Sequence, residues 1–163
     1  MKRAAQLLSA ADAEAVLRRG THGVLACLGD GDYPYAVPVN YVVVGATIYV
    51  HSAPAGHKMD AIARNSRVSF AVVDKDTIVS AAYTSYFRSV IAFGRARIAE
   101  GDERLRAFNA LVDKYSGDQP EEARRRKAAE CDRACIIAID IEHLTGKEAI
   151  EYARDHGQAP VAP

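Results

Sequence analysis

Between His22 and His51 three strand-like runs follow one another, joined by links too short to hold a helix. Val24-Leu25-Ala26-Cys27-Leu28 enters the turn Gly29-Asp30-Gly31-Asp32, Pro34 to Val44 follows, and Gly45-Ala46 reverses the chain into Thr47-Ile48-Tyr49-Val50-His51. Parallel neighbours need a long crossover, whereas short turns join antiparallel ones, so this stretch predicts an antiparallel meander of three strands.

The flanks add helices without restoring a strand–helix alternation. Ser9-Ala10-Ala11-Asp12 has the Ser-x-x-acid form in which the hydroxyl takes an orphan N–H, predicting a helix from Ala10 to Arg19 that ends at Gly20. Met59, Ile62 and Ala63 predict a short helix over Lys58 to Arg64, with Asn65 suited to a left-handed cap. Val68 to Val73 and Phe87 to Ile98 read as strands. Leu105, Phe108, Leu111, Val112 and Tyr115 define an amphipathic helix over Asp102 to Tyr115, Pro120 opens another through Ala129, and Ala134 to Ile141 is a last strand. This order lacks the pattern of a parallel doubly wound sheet. It predicts one mainly β domain over residues 1–157, an antiparallel barrel with helical additions, and a disordered Pro/Ala tail over 158–163.

Charge narrows the partners. Lys plus Arg and Asp plus Glu both number 21, so no long-range field draws the chain to nucleic acid or an acidic membrane. The longest apolar run, Val37 to Tyr49, is broken by Pro38, Asn40, Gly45 and Thr47 and is too short for a membrane span. Three cysteines, Cys27, Cys131 and Cys135, and the lack of a leader pattern point to a cytoplasmic protein with reduced thiols. Cys131-x-x-x-Cys135 lacks the further ligands of a zinc site and reads as helix-end and strand-core cysteines. Arg124-Arg125-Arg126-Lys127 is flanked by Glu121, Glu122 and Glu130 and reads as a solvated helix face.

Three stretches carry candidate chemistry. In His51-Ser52-Ala53-Pro54-Ala55-Gly56-His57-Lys58 a strand ends in small residues and a glycine just before a helix. Exposed N–H groups, the positive helix end and Lys58 together suit a phosphate, although an ordinary strand-to-helix turn has the same spacing. In Tyr86-Phe87-Arg88-Ser89-Val90, Arg88 and Ser89 offer a fork and a hydroxyl to the same phosphate, or form a solvated strand edge. In Tyr33-Pro34-Tyr35-Ala36-Val37-Pro38-Val39-Asn40-Tyr41 two prolines imply an edge or a bulge, leaving backbone for a flat ring with N–H and C=O groups along one side.

Taken in order, Pro34-Tyr35-x-Val37-Pro38-x-Asn40-Tyr41, Ile48-Tyr49-x-His51-Ser52-Ala53-x-x-Gly56-x-Lys58, Tyr86-x-Arg88-Ser89-Val90-x-x-x-Gly94 and Leu144-Thr145-Gly146-Lys147 resemble the pyridoxamine 5′-phosphate oxidase-like flavoproteins. The resemblance spans roughly residues 9–150 and is greatest to the branch containing the 5-nitroimidazole-resistance reductases. It implies a six-stranded antiparallel split barrel with flanking helices that binds flavin mononucleotide (FMN) between the subunits of a homodimer. Carried over by motif, Pro38, Val39 and Asn40 lie along the flavin ring, and His51, Ser52, His57 and Lys58 surround its ribityl-phosphate arm. Arg88, Ser89 and Val90 complete the phosphate site, and Lys147 approaches it.

The activity so implied is an FMN-dependent oxidoreductase that takes electrons from NAD(P)H and reduces a small nitroaromatic, quinone or similar acceptor. His51 can bond the flavin or supply a proton, and Tyr35, Tyr41 and Tyr86 are candidates for shaping the acceptor pocket. No catalytic residue is identified. The chain has no tryptophan and ends Glu151-Tyr152-Ala153-Arg154-Asp155-His156-Gly157, without the basic, aromatic segment with which pyridoxamine phosphate oxidases grip their substrate, so that oxidation itself is not expected. Heme or deazaflavin F420 in the same fold, a non-enzymatic flavin-binding protein, and a structural dimer with a vestigial pocket are the alternatives.

Overall fold

The computed structural model describes residues 4–129 and 135–155. Among them seven strands form one antiparallel sheet: β1 (His22–Leu28), β2 (Pro34–Asn40), β3 (Val42–Val44), β4 (Thr47–Ser52), β5 (Arg67–Val79), β6 (Thr84–Ile98) and β7 (Cys135–Glu148), in the order β2-β1-β5-β6-β7-β4-β3. Helices α1 (Ala10–Arg19), α2 (His57–Arg64), α3 (Gly101–Ser116), α4 (Glu121–Ala128) and α5 (Ile150–Asp155) accompany it. No helix among the described residues is long and apolar enough to cross a membrane.

β2 and β3 end the sheet on opposite sides, yet only Tyr41 separates them in the chain. The two edges must therefore meet, and the twist of the strands rolls the sheet into a split barrel. The expected meander is corrected here, because Pro34 to Val44 is two strands rather than one. β2 pairs with β1, with Pro34 opposite Leu28 and Pro38 opposite Val24, while β3 pairs with β4. Between them the Tyr41 ring is fully buried and its hydroxyl donates to the Leu17 carbonyl at 2.5 Å. That buried anchor pulls the chain off one edge and onto the other, giving seven strands in place of six. The prolines fall on an edge strand, where a missing donor is tolerated.

The two-residue period of the strands divides the apolar residues between two cores. Ile137, Ile139, Ile48, Val50, Phe70, Val72 and Leu25 point into the barrel, which α1 closes with Ala13, Val16 and Leu17 and α2 with Ala61 and Ile62. Their neighbours Ile136, Ala138, Tyr49 and Val42 point outward beneath Ala107, Phe108 and Leu111 of α3.

The ends of α1 fall where expected. Ser9 Oγ accepts the Asp12 N–H at 3.1 Å and donates to the Asp12 carboxylate at 2.6 Å, and the Gly20 N–H reaches the Val16 carbonyl at 3.2 Å. Asn65 departs from expectation: it is extended (φ −146°, ψ 110°), and its side chain accepts the Arg67 N–H at 3.0 Å. β5 and β6 run past their expected limits as an exposed hairpin, with register shifts at Val73/Lys75 and Phe93/Gly94. The second is set by a close approach, since a Cβ on Gly94 would stand 2.2 Å from the Asp140 carbonyl oxygen. Cys131 and the tail over 158–163 lie outside the described residues.

Candidate functional site

The seam of the barrel carries the site. β3 reaches only from Thr47 to Tyr49 of β4, so Val50, His51 and Ser52 have no strand beyond them among the described residues, and β2 likewise has a partner on one side only. These free edges and α3 bound an open cleft of about 590 Å³ lined by Val39, Asn40, His51, Phe108, Leu111, Val112, Tyr115, Ser116 and Lys127. Two separate motifs of the sequence thus meet: Val39 and Asn40 from β2, and His51 from β4.

The polar groups of the cleft have defined orientations. Asn40 Nδ2 donates to the Thr21 carbonyl at 2.9 Å, which turns Oδ1, the accepting end of the amide, away from Thr21. The exposed His51 ring stands edge-on to Phe108, with centroids 6.1 Å apart. Pro38 lies on the outer, exposed face of β2, one residue from the cleft.

α3 is fastened at both ends. Near its start Glu103 takes Arg97 at 2.6 and 2.8 Å and the Tyr49 hydroxyl at 2.8 Å, while Arg97 also holds Asp140. The Arg97 hydrogen bonds pull the Glu103 carboxyl down to about 2 against the cost of burial. Near its end Lys114 donates to the Gly20 and Arg18 carbonyls at 2.6 and 3.3 Å, closing the C-terminus of α1, and burial lowers the Lys114 pKa. The Tyr115 hydroxyl accepts the Tyr41 N–H at 2.9 Å and lies against the carbonyls of Tyr41 and Thr21.

Beyond His51 the path leads to α2. Ser52 is buried, with its hydroxyl on the Ala53 carbonyl at 2.9 Å. Gly56 holds φ 119°, a conformation that suits glycine alone, and α2 starts there with no side-chain cap on its first-turn N–H groups. The His57 ring meets Tyr35 edge-on at 4.5 Å and lies 3.4 Å from the Asp30 carboxylate, which Arg64 also holds at 2.6 Å. Lys58 is half-buried beside this turn. Tyr35 and Val39 are four residues apart on β2, about 13 Å at about 3.3 Å per residue. The turn that carries Gly56 and Lys58 and a cleft with free backbone edges are thus joined by one strand. Their donor set fits a flat heteroaromatic ring bearing an anionic tail.

The third motif lies elsewhere in the protomer. Ser89 pairs with Lys147 and Arg88 with Glu148, whereas His51 pairs with Ile136, eleven residues back along β7, about 36 Å of strand at about 3.3 Å per residue. Arg88 Nε and Nη2 both lie 2.8 Å from Glu148, Nη1 is 3.6 Å from Asp74, and Arg19 binds Asp74 at 2.5 Å. The Arg19 hydrogen bond lowers the Asp74 pKa. Val90 is buried in the barrel core, and Lys147 is half-buried beside Leu7.

The tyrosines expected at the acceptor pocket are not at the cleft. Tyr41 is core, with its pKa raised by burial, Tyr35 packs on His57, and Tyr86 packs on Tyr152 at 5.8 Å. Tyr115 and Phe108 line the cleft instead, and their helical spacing had marked them only as an apolar helix face. Burial raises the pKa of Cys27 and of Cys135, so both thiols stay protonated.

A conserved hypothetical protein of Mycobacterium tuberculosis superimposes with a TM-score of 0.77 at 21% identity, over 99% of this chain and 95% of its own. A candidate 5-nitroimidazole antibiotic resistance protein of Bacteroides thetaiotaomicron gives 0.72 at 20% identity, over 87% and 86%. An FAD-binding protein of Mesorhizobium loti gives 0.65 at 29% identity, over 88% and 97%. The family model described as pyridoxamine 5′-phosphate oxidase matches residues 9–148, nearly the whole described barrel. With this fold, the seam between its edge strands and that match, the chain belongs to the pyridoxamine 5′-phosphate oxidase family.

Proposed function

We propose that this protein is a flavin-dependent oxidoreductase that holds FMN at the barrel seam and reduces a small organic acceptor with electrons from NAD(P)H. The observation that carries this reading is the convergence of Val39, Asn40 and His51 on one cleft at the barrel seam, with the start of α2 at Gly56 and Lys58, which has no side-chain cap, following His51 in the chain. A bound flavin supplies the hydride chemistry. Asn40 Oδ1 accepts an N–H from the ring edge, and the β2 backbone offers further donors and acceptors. The first-turn amides of α2 and the Lys58 ammonium hold the anionic tail. His51, exposed at the cleft, holds or delivers a proton to the acceptor.

The same reading makes the protein a homodimer. Arg88, Ser89 and Lys147 are far along the barrel from His51 in one protomer, so they serve the phosphate only from a second copy. The outer barrel face exposes Val73, Ile91 and Phe93, and the hairpin beyond it exposes Ile78 and Tyr83 at 74% and 98%. A two-stranded hairpin bearing such residues is marginal alone and gains from a cover.

The test is an absorption spectrum and an FMN titration of the purified protein, followed by NADH or NADPH consumption with a nitroaromatic. Expected are flavin bands, a mass twice that of the chain, acceptor-dependent turnover, and roughly ten- to hundredfold weaker FMN binding in Lys58→Ala, as for a lost charged hydrogen bond. A colourless protein that binds no added FMN, or one with a heme Soret band, overturns the reading.

A further inference from the structure

We infer that the turn between β1 and β2 is an acidic stop beside the start of α2, which admits a flavin whose tail ends in a single phosphate and rejects one whose tail continues through a diphosphate. This rests on the reading that places the anionic tail at Gly56 and Lys58. The turn runs Gly29-Asp30-Gly31-Asp32-Tyr33 and is closed by the Gly29 N–H on the Tyr33 carbonyl at 2.8 Å. Gly31 and Asp32 both hold positive φ, 60° and 62°, so the chain reverses tightly and sets two carboxylates close together in sequence.

The turn packs directly on α2. The His57 ring, between Gly56 and Lys58, is met on three sides: Asp30 lies 3.4 Å from Nδ1, Tyr35 stands edge-on at 4.5 Å, and a Cβ on Gly29 would come within 3.2 Å of Nε2. Arg64, two turns further along α2, reaches the same Asp30 carboxylate at 2.6 Å. Lys58 and the first-turn amides favour one phosphate, but a second phosphate carried toward the turn meets Asp30 and the exposed Asp32 and finds Arg64 already engaged. Discrimination of this kind comes from repelling the wrong ligand as much as from attracting the right one. Both acids are exposed to solvent, so each charge changes affinity several-fold and not by orders of magnitude.

The experiment titrates FMN, FAD and riboflavin into the full chain, followed by flavin fluorescence and calorimetry, and repeats this with Asp30→Asn and Asp32→Asn. Asparagine keeps the shape of the side chain and tolerates the positive φ of position 32. Expected is FMN binding about tenfold or more tighter than FAD, a ratio that each substitution narrows several-fold. Riboflavin, which has no phosphate to sense the turn, binds the three proteins alike. Should loss of the Asp30–Arg64 pair loosen the turn, Asp32→Asn alone carries the comparison. FAD bound as tightly as FMN by the unsubstituted chain, an FMN-to-FAD ratio unmoved by both substitutions, or an equal shift in riboflavin affinity overturns the inference and leaves the flavin reading standing. A protein that binds none of the three flavins loses both.

Discussion

Gly94→Ala tests how closely β6 and β7 are held together in the barrel. Gly94 lies where the β6–β7 register slips, and an added Cβ would stand 2.2 Å from the Asp140 carbonyl oxygen, 3.0 Å from its carbon and 3.3 Å from Ile141 Cα. All three are backbone atoms, so no side-chain rotation relieves the contact. Reaching 3.4 Å, where ordinary contact begins, requires the strands to part by about 1.2 Å, the difference of 3.4 and 2.2. Overpacking of this kind costs about 1–3 kcal/mol. Two ladder bonds opened at the bulge add about 1 kcal/mol each. The sum, about 3–5 kcal/mol, lowers Tm by roughly 6–20 °C for a domain of this size. Thermal and urea unfolding followed by circular dichroism measure it, with the urea midpoint falling at an unchanged m-value. A loss under about 1 kcal/mol refutes the reasoning, because it would mean that the two strands separate at almost no cost.

Two further outcomes follow from the same interactions. Tyr41→Phe removes the donor to the buried Leu17 carbonyl and destabilises by about 1–3 kcal/mol; no change in urea unfolding would show that the carbonyl finds another partner. In acid, Glu103 titrates at about 2 when folded against an ordinary 4.5, and Asp74 and Asp140 are also lowered, chiefly by hydrogen bonds from Arg19 and Arg97. The unfolded chain then binds more protons between pH 4.5 and about 2, so the stability present above that window is lost as pH falls through it. Glu103→Gln flattens this slope in acid-unfolding curves, and an unaltered slope would remove Glu103 from the account.

Where a feature depends on neighbours within one turn of chain, it was legible. Ser9, Asp12 and Gly20 mark both ends of α1, and Pro34 and Pro38 announce an edge strand, because caps and missing donors act locally. Asn65 is the exception among these local features: its residue type suits a left-handed cap, but the residue is extended and its side chain accepts the Arg67 N–H instead. The site divides the same way. Val39, Asn40 and His51 were identified by motif and meet at the cleft, whereas Phe108 and Tyr115 were not, since periodicity marks a helix face as apolar without saying whether it covers a core or a cleft. Arg88 and Ser89 were expected to complete the phosphate site, but motif order carries no distance along β7, which sets them far from His51 within one protomer.

From its residues alone this chain is an antiparallel barrel with short flanking helices, because links of a few residues cannot make the long crossovers that parallel neighbours need. Tertiary structure decided where the barrel opens. Tyr41, buried among residues distant in the chain, breaks one strand into two, and β3 is too short to cover His51, so the seam and its cleft arise from long-range packing that no local pattern encodes.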